Sequence, residues 1–153
     1  MDLRQLHDRD RAWFRDLIGR EWGLPVVSIS GVHDPSGYTG FVAWDGDDRV
    51  GVVTYRFDGA GCEVITLNAV TPGHGVGTAL LAAARTVADA RSQRLWLITT
   101  NENIRAIAFY QRQGMDMVAL HRNFVDVVRR HKPGVDKSTT DGIPFKHAIE
   151  FSY

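Results

Sequence analysis

Apolar residues recur at two different spacings along the first half of the chain, and each spacing predicts a different kind of element. Between Asp10 and Gly23 they recur at helical spacing, which predicts a helix whose start is capped by Asp8 or Asp10. β-Branched and aromatic residues flank the Asp45-Gly46 turn, which predicts a hairpin. The predicted elements of this half are a strand at residues 3–6, the helix, a loop at 28–40, the hairpin at 41–57 and a strand at 62–68.

The second half of the chain begins with glycines and then alternates strands with helices. Residues 95–100 are almost uniformly apolar, which is typical of a strand covered on both faces. The predicted elements are a glycine loop at 73–77, a helix from there to about Arg91, the strand at 95–100, a helix at 104–113, a helical or irregular segment at 124–130, and strands at 115–121 and 145–153. This order predicts an α/β (α+β) fold: a mixed, mostly antiparallel twisted sheet of six to seven strands with a central parallel β-α-β crossover.

The length and charge of the chain restrict its class. At 153 residues we expect a single domain over residues 1–153, with an irregular, insertion-like segment at about 123–145. Lys and Arg total 18, as do Asp and Glu, so the basic bias that binds a phosphate backbone is missing and nucleic acid is not expected as a partner. No apolar segment of the signal-peptide or membrane-spanning type occurs, which favours a cytoplasmic protein without membrane contact.

Cysteine and histidine usage argues against a metal site. Cys62 is the only cysteine, so no disulfide forms within the chain and a cysteine-ligated metal would lack partners. His121 and His131 lack a metal-like partner pattern, and we expect no metal. Cys62 is interpreted as a small strand residue and not a nucleophile, because nothing near it clearly lowers its pKa. The tryptophans interpreted as core residues are Trp22, Trp44 and Trp96.

Three alternating glycines, Gly73, Gly75 and Gly77, stand immediately before a strong helix former. Glycine lets the backbone approach a ligand closely, and the first amides of a helix attract anions. The loop therefore predicts a phosphate or pyrophosphate site. A Walker loop does not fit, since Gly77 is followed by Thr78 and Ala79. A dinucleotide fingerprint fails as well, because Thr78 stands at its third glycine and no acidic residue ends the next strand.

The segment N-A-V-T-P-G-H-G-V-G-T-A, residues 68–79, resembles the pyrophosphate-binding loop of the GNAT superfamily of N-acetyltransferases, whose pattern is [QR]-x-x-G-x-[GA] at the start of a helix. Gly75 and Gly77 match the two glycines, whereas Pro72 stands at the Gln/Arg position and removes one phosphate contact. A second segment, T-N-E-N-I-R-A-I-A-F-Y-Q-R-Q-G-M at residues 100–115, resembles the later family element N-x-x-A followed by F-Y-x-x-x-G-F. Its matching residues are Asn103, Ala106, Phe109, Tyr110 and Gly114, with Met115 replacing the usual Phe.

The resemblance covers about residues 40–122 and implies the GNAT fold with acetyl-CoA as the acyl donor. It implies that the strand before the loop pairs with the pantetheine arm, that the loop amides hold the pyrophosphate and that Asn103 contacts the pantetheine. The residues implied to bind acetyl-CoA are Leu67, Asn68, Ala69, Val70, Gly73, His74, Gly75, Val76, Gly77, Thr78, Ala79, Asn103, Ala106 and Tyr110.

Two residues are predicted to carry the acyl transfer. By resemblance, Tyr110 faces the sulfur of CoA and protonates the departing thiolate as a general acid. Glu63 is the candidate general base. Counting by twos along its strand places Glu63 on the face of Ile65 and Leu67, among apolar neighbours that would make a carboxylate a stronger base. The alternative bases are Glu21, His33 and a water relay.

The predicted function is transfer of the acetyl group of acetyl-CoA directly to a primary amine of a small molecule or peptide. The alternative is a non-catalytic acyl-CoA-binding sensor or regulatory module, which the Pro72 departure favours; a protein for a different phosphate ligand is a third hypothesis. The acceptor is left open, and so is the choice between a monomer and a homodimer. Residues 129–132, R-R-H-K, are either a solvated helix end or a contact for an acidic substrate or a CoA phosphate. The candidates for lining an amine site are Phe124, Asp126, Asp136 and Asp141.

Overall fold

The computed structural model describes residues 1–135 and 139–153; Asp136, one of the candidates for the amine site, lies outside the described residues. The α-helices in this part of the chain are α1 (Arg11–Glu21), α2 (Val76–Ala90), α3 (Ile104–Arg112) and α4 (Phe124–His131). The strands are β1 (Asp2–Gln5), β2 (Val26–Ser28), β3 (Gly31–His33), β4 (Thr39–Asp45), β5 (Asp48–Asp58), β6 (Gly61–Ala69), β7 (Leu95–Thr100), β8 (Asp116–His121), β9 (Thr139–Thr140), β10 (Ile143–Pro144) and β11 (Ala148–Ser152).

Most of the predicted elements are confirmed; the differences are short strands in segments for which no strand was predicted, β2 and β3 between α1 and β4 and the pair β9–β10. The hairpin of β4 and β5, the strand β7 and the helix α3 lie where the sequence patterns place them. The loop predicted at residues 28–40 is wrong in part, because β3 lies within it and pairs with β2. None of the helices among the described residues is long and apolar enough to span a membrane.

The chain divides into two compact units, and the first consists of Met1–Val26 and Asp34–Leu95. Its strands pair antiparallel in the order β1-β4-β5-β6. Phe14 and Ile18 of α1 are fully buried against Val42 and Val52 of the sheet. This apolar cluster fixes the helix to one face of the four strands, because burying apolar surface is the main favourable contribution to packing.

A β-bulge in β6 changes which residues share a face of the sheet. Arg56 of β5 pairs with Glu63, whereas Thr54 pairs with Thr66, so Ile65 is an additional residue on β6. Paired residues of neighbouring strands point to the same face, and Thr54 and Arg56 are two positions apart. Glu63 therefore shares a face with Thr66, whose hydroxyl lies 2.6 Å from that of Thr54.

The bulge corrects the predicted orientation of Glu63. Counting by twos placed Glu63 with Leu67, and that prediction is wrong because the additional residue moves Leu67 to the other face. Val52 lies on the Thr54 face of β5 and packs in the cluster beneath α1, together with Ile65. Glu63 thus lies on the face of the sheet that α1 covers.

Two hydrogen bonds at the start of β6 support the parallel crossover predicted after this strand. Cys62 N at the start of β6 donates to Arg94 O at 2.9 Å, directly before β7. Arg94 Nε in turn donates to Ala60 O at 3.0 Å. The start of β6 is therefore bonded to the residue directly before β7, with α2 between the two strands in the chain, as a β-α-β unit requires.

The second unit consists of residues 27–33 and Trp96–Tyr153. Its strands pair antiparallel in the order β7-β11-β8. Asn101 follows β7, and its side-chain oxygen accepts hydrogen bonds from Lys146 N at 3.1 Å and His147 N at 2.7 Å. These bonds position the chain as it enters β11, the central strand of the unit.

Candidate functional site

The glycine loop ends in a left-handed turn that starts α2. Gly73 and Gly75 have φ of 89° and 74°, a conformation that glycine adopts readily. Ala79 N donates to Gly75 O at 3.1 Å, so the Ala79 amide is already used within the helix. Helix geometry leaves the amides of Val76 and Gly77 without an intrahelical partner, at the positive end of the helix dipole. These amides form a candidate site for an anion.

Gly51 on β5 determines how closely α2 approaches the sheet. A Cβ atom at Gly51 would stand 2.5 Å from Val76 Cγ1, 2.8 Å from Asn68 O and 2.9 Å from Leu80 Cδ1. The missing side chain therefore lets the first turn of α2 pack directly on β5. Pro72, at the departure from the family pattern, is exposed in the loop.

The end of β6 presents its backbone groups to two sides. Val70 N donates to Val50 O at 2.9 Å, so Val70 faces β5. Backbone groups of successive residues in a strand point to opposite sides. The amides and carbonyls of Leu67 and Ala69 therefore point away from β5.

Trp22 contradicts its predicted place in the core. Trp22, directly after α1, is 47% exposed, whereas Trp44 and Trp96 are buried as predicted. The indole Nε1 donates to Asn68 Oδ1 at 3.0 Å. The apolar residues continue at helical spacing to Trp22, beyond Ile18, which is the last buried residue of α1. The spacing alone therefore assigned Trp22 to the core.

Glu63 and Cys62 are adjacent on β6 and both are buried, but they differ chemically. The Glu63 side chain is only 1% exposed, and its Oε1 lies 3.9 Å from the guanidinium of Arg56. Arg56 also pairs with Asp58. Burial raises the pKa of the Cys62 thiol to about 11, although the positive charge of Arg91 opposes this shift. The thiol therefore stays protonated at neutral pH, in agreement with its interpretation as a strand residue.

In the second unit, Asn103 begins α3 and Tyr110 lies near its end. Asn103 Oδ1 accepts a hydrogen bond from Ala106 N at 3.2 Å, so both predicted residues have a structural role in starting the helix. The Tyr110 ring lies 5.5 Å from the ring of Phe151 and 5.3 Å from that of Phe109. Burial raises the pKa of the Tyr110 phenol. Within the described part of the chain, no group hydrogen-bonds the phenol oxygen.

A cavity of about 400 Å³ lies in the second unit, and it was not predicted as a cavity from the sequence. Residues from the β2–β3 turn, the end of β8 and α4 line it; they include Ile29, His121, Arg122, Phe124, Asp126 and Arg130. Phe124 and Asp126 are two of the candidates that the sequence suggested for an amine site. Asp141, another candidate, lies in the turn between β9 and β10 with φ of 52°.

A histidine–carboxylate pair stands at this cavity. His121 Nε2 lies 3.0 Å from Oε1 of the buried Glu150. The two residues are 29 positions apart, so no local spacing indicates the pair; it depends on the register that aligns His121 with Ala148. Glu150 and Phe151 are consecutive on β11 and point to opposite faces. The His121 pair and the Tyr110 ring therefore lie on opposite faces of the three-stranded sheet.

Comparison with known proteins identifies the class. A sequence model of the Acetyltransferase (GNAT) family matches residues 3–115. The Uncharacterized protein YdhI of Bacillus subtilis is 39% identical over 140 residues, which cover 90% of this chain and 88% of YdhI. The chain belongs to the GNAT acetyltransferase family, and the family resemblance stated from the sequence is confirmed.

Solved structures share the fold over almost the whole chain. An acetyltransferase of Bacillus subtilis in complex with CoA superposes with a TM-score of 0.70 at 17% identity, covering 99% of this chain and 97% of that one. The ribosomal-protein-S18-alanine N-acetyltransferase of Escherichia coli also has a TM-score of 0.70, at 19% identity, and covers 99% of this chain and 91% of its own. The predicted α/β fold class is therefore confirmed.

Proposed function

We propose that the protein transfers the acetyl group of acetyl-CoA to a primary amine. The observation that carries the proposal is the start of α2, where the left-handed Gly75 leaves the amides of Val76 and Gly77 directed outward in a chain of the GNAT family. One solved neighbour is a complex with CoA, and another is named as an alanine N-acetyltransferase. These neighbours support CoA as the carrier and an amine as the acceptor.

In this proposal the pyrophosphate and the pantetheine arm of acetyl-CoA have partners of suitable chemistry. The pyrophosphate accepts hydrogen bonds from the first amides of α2, where the helix dipole favours negative charge. The amide groups of the pantetheine arm pair with the outward backbone of Leu67 and Ala69. We propose a smaller part for Val70, whose amide donates to Val50 O on β5, and for Asn68, whose side-chain oxygen accepts a hydrogen bond from Trp22.

The transfer itself forms one bond and breaks one. The neutral amine nitrogen attacks the thioester carbonyl, a C–N bond forms, and the tetrahedral intermediate collapses with cleavage of the C–S bond. Tyr110 donates its phenol proton to the departing thiolate, and a base takes the proton that the amine loses. The products are an N-acetylated amine and CoA with a free thiol. The raised pKa keeps the Tyr110 phenol protonated and ready to donate.

Glu63 is the base we propose, because it is a buried carboxylate on the strand that leads to the glycine loop. The guanidinium of Arg56, on the same face of the sheet, lies 3.9 Å from the Glu63 carboxylate and balances its negative charge. His121 joins Glu21, His33 and a water relay as an alternative, since Glu150 orients its ring at the cavity. A histidine held by a carboxylate is a common arrangement for a general base.

The test is release of free CoA from acetyl-CoA in the presence of a panel of primary amines, followed with a thiol reagent. Turnover above the amine-free rate with at least one class of amine is expected. No turnover with any amine, together with calorimetric binding of CoA, would support the alternative of a non-catalytic sensor. The exposed Pro72 at the usual Gln/Arg position is the observation that favours that alternative.

A further inference from the structure

We propose that the cavity of the second unit is the acceptor pocket and that it selects a small amine which also carries a carboxylate. This inference rests on the proposed acetyltransferase function and names the substrate class of that reaction. It goes beyond the family assignment, because it depends on charged residues specific to this cavity.

Three charged residues at the cavity are spaced four apart: Arg122, Asp126 and Arg130. This spacing places the two residues of α4 on one face of the helix, with Arg122 in the turn before it. All three are exposed, and none forms a hydrogen bond or ion pair through its side chain with another described residue. Two guanidinium groups and one carboxylate thus lie together at the cavity without a side-chain partner among the described residues.

A zwitterionic amine complements this set of charges. A guanidinium binds a carboxylate through two parallel hydrogen bonds, which suits Arg122 or Arg130. Asp126 attracts the ammonium form of the amine before it loses its proton. A phosphate group would bring a second negative charge toward Asp126, so a carboxylate fits the set better.

The apolar lining and the size of the cavity restrict the rest of the acceptor. Ile29, Phe124 and Val127 contribute apolar surface beside the charged residues. A cavity of about 400 Å³ lies near the lower end of the range for small-molecule pockets. We therefore expect the acceptor to resemble an amino acid with an apolar side chain.

The experiment compares amines that differ only by the carboxylate. L-Leucine is paired with isoamylamine and L-phenylalanine with phenethylamine, and kcat/KM for acetylation is measured for each. We expect kcat/KM at least about 10-fold higher for the amino acid of each pair, since one charge-assisted contact contributes that much. Equal or better use of the plain amines would overturn the inference while leaving the acetyltransferase function intact.

Variants connect the preference to the cavity. Arg122→Gln and Arg130→Gln are expected to raise KM for the amino acid about 10-fold or more, without changing KM for acetyl-CoA or the use of isoamylamine. The corresponding Lys variants should recover part of the loss, because the positive charge remains. Arg9→Gln, at an exposed arginine of the first unit, is the matched control. An equal effect on amino acid and plain amine would contradict carboxylate recognition.

A binding measurement keeps the inference testable if no amine is acetylated. The thermal midpoint is measured with CoA present, with and without L-leucine or L-phenylalanine, for the natural chain and for the Arg122→Gln, Arg130→Gln double variant. Stabilisation of the natural chain alone supports the pocket even though the acetyltransferase function has failed. No stabilisation by either amino acid, with CoA bound, rejects it.

Discussion

Tyr110 combines a protonated phenol with an aromatic setting that holds its ring against Phe151. In Tyr110→Phe the ring packing remains and the proton donor is lost, so kcat should fall by about 100-fold or more. Steady-state kinetics with saturating acetyl-CoA measure this, with Tyr38→Phe in the first unit as the control. Because burial raises the pKa of Tyr110, its ionisation should cause no loss of activity as pH rises through the ordinary phenol value of 10.0. Unchanged turnover in Tyr110→Phe would remove the acid role.

The reactivity of the Cys62 thiol tests directly whether β6 is buried in the folded protein. With a pKa of about 11, only about 0.1% of the thiol is thiolate at pH 8. Iodoacetamide should therefore alkylate the folded protein at least about 100-fold more slowly than the protein unfolded in guanidinium. Mass spectrometry over a time course measures both rates. Equal rates would show that the thiol is accessible and ionised in the fold.

Glu63→Gln removes the proposed base and preserves the shape of the side chain. We expect kcat to fall by about 100-fold with KM for acetyl-CoA unchanged, since proton removal is the step affected. Asp58→Asn is the matched control, because Asp58 is the other carboxylate that pairs with Arg56. If both variants lose activity equally, the loss results from disturbing the ion pairs of Arg56 and not from removing the proton acceptor.

At the scale of elements, the contact between β5 and α2 links the sheet to the anion site. Gly51→Ala introduces a methyl group 2.5 Å from Val76 Cγ1 and 2.8 Å from the Asn68 carbonyl oxygen, so the first turn of α2 has to shift. We expect a loss of about 1–3 kcal/mol in the free energy of unfolding and weaker CoA binding. Urea unfolding and calorimetry measure the two effects.

Gly59→Ala is the control for this substitution. An added Cβ atom at Gly59 meets nothing within 4 Å, so its effect on stability and on CoA binding should be small. A Gly51→Ala variant with normal stability and normal CoA affinity would show that α2 is not held by this close approach.

Elements with a regular pattern were predictable, and irregularities within them were not. The apolar run of β7 and the hairpin of β4 and β5 follow from side-chain periodicity and turn chemistry. The sequence does not indicate the bulge at Ile65, because an additional apolar residue in an apolar strand does not disturb the pattern of apolar positions. It nevertheless decides which face Glu63 occupies. The short strand β3 was missed for a related reason, since a three-residue strand is too short to show a period.

For the whole molecule, ligand binding should appear as added stability. A ligand that binds only the folded protein stabilises it by mass action, by about 2.7 kcal/mol at 100 times its Kd. CoA should therefore raise the thermal midpoint by several degrees, whereas ATP at the same concentration should not. Differential scanning fluorimetry with both ligands tests this. Equal stabilisation by ATP would favour the hypothesis of a different phosphate ligand.

The candidate site was only partly predictable, because some of its parts are formed by contiguous residues and others by residues that are distant in the sequence. The glycine loop and the Asn103 to Tyr110 segment are contiguous motifs, so a single stretch of sequence indicates them. The His121–Glu150 pair and the cavity depend on strand register and on the placement of α4, which no short segment encodes. The sequence suggested Phe124 and Asp126 for an amine site, but it offered no reason to choose them.

The exposed Trp22 provides the first unit with its own optical reporter. Its indole is about half exposed and hydrogen-bonded to Asn68, while Trp44 and Trp96 are buried and Trp13 is partly buried against the core. Its emission should lie at longer wavelength than that of the buried tryptophans and should be the most easily quenched by iodide. Because Asn68 lies on the strand that we propose for the pantetheine arm, a ligand bound along this strand should change the surroundings of Trp22 and hence its fluorescence, without any label.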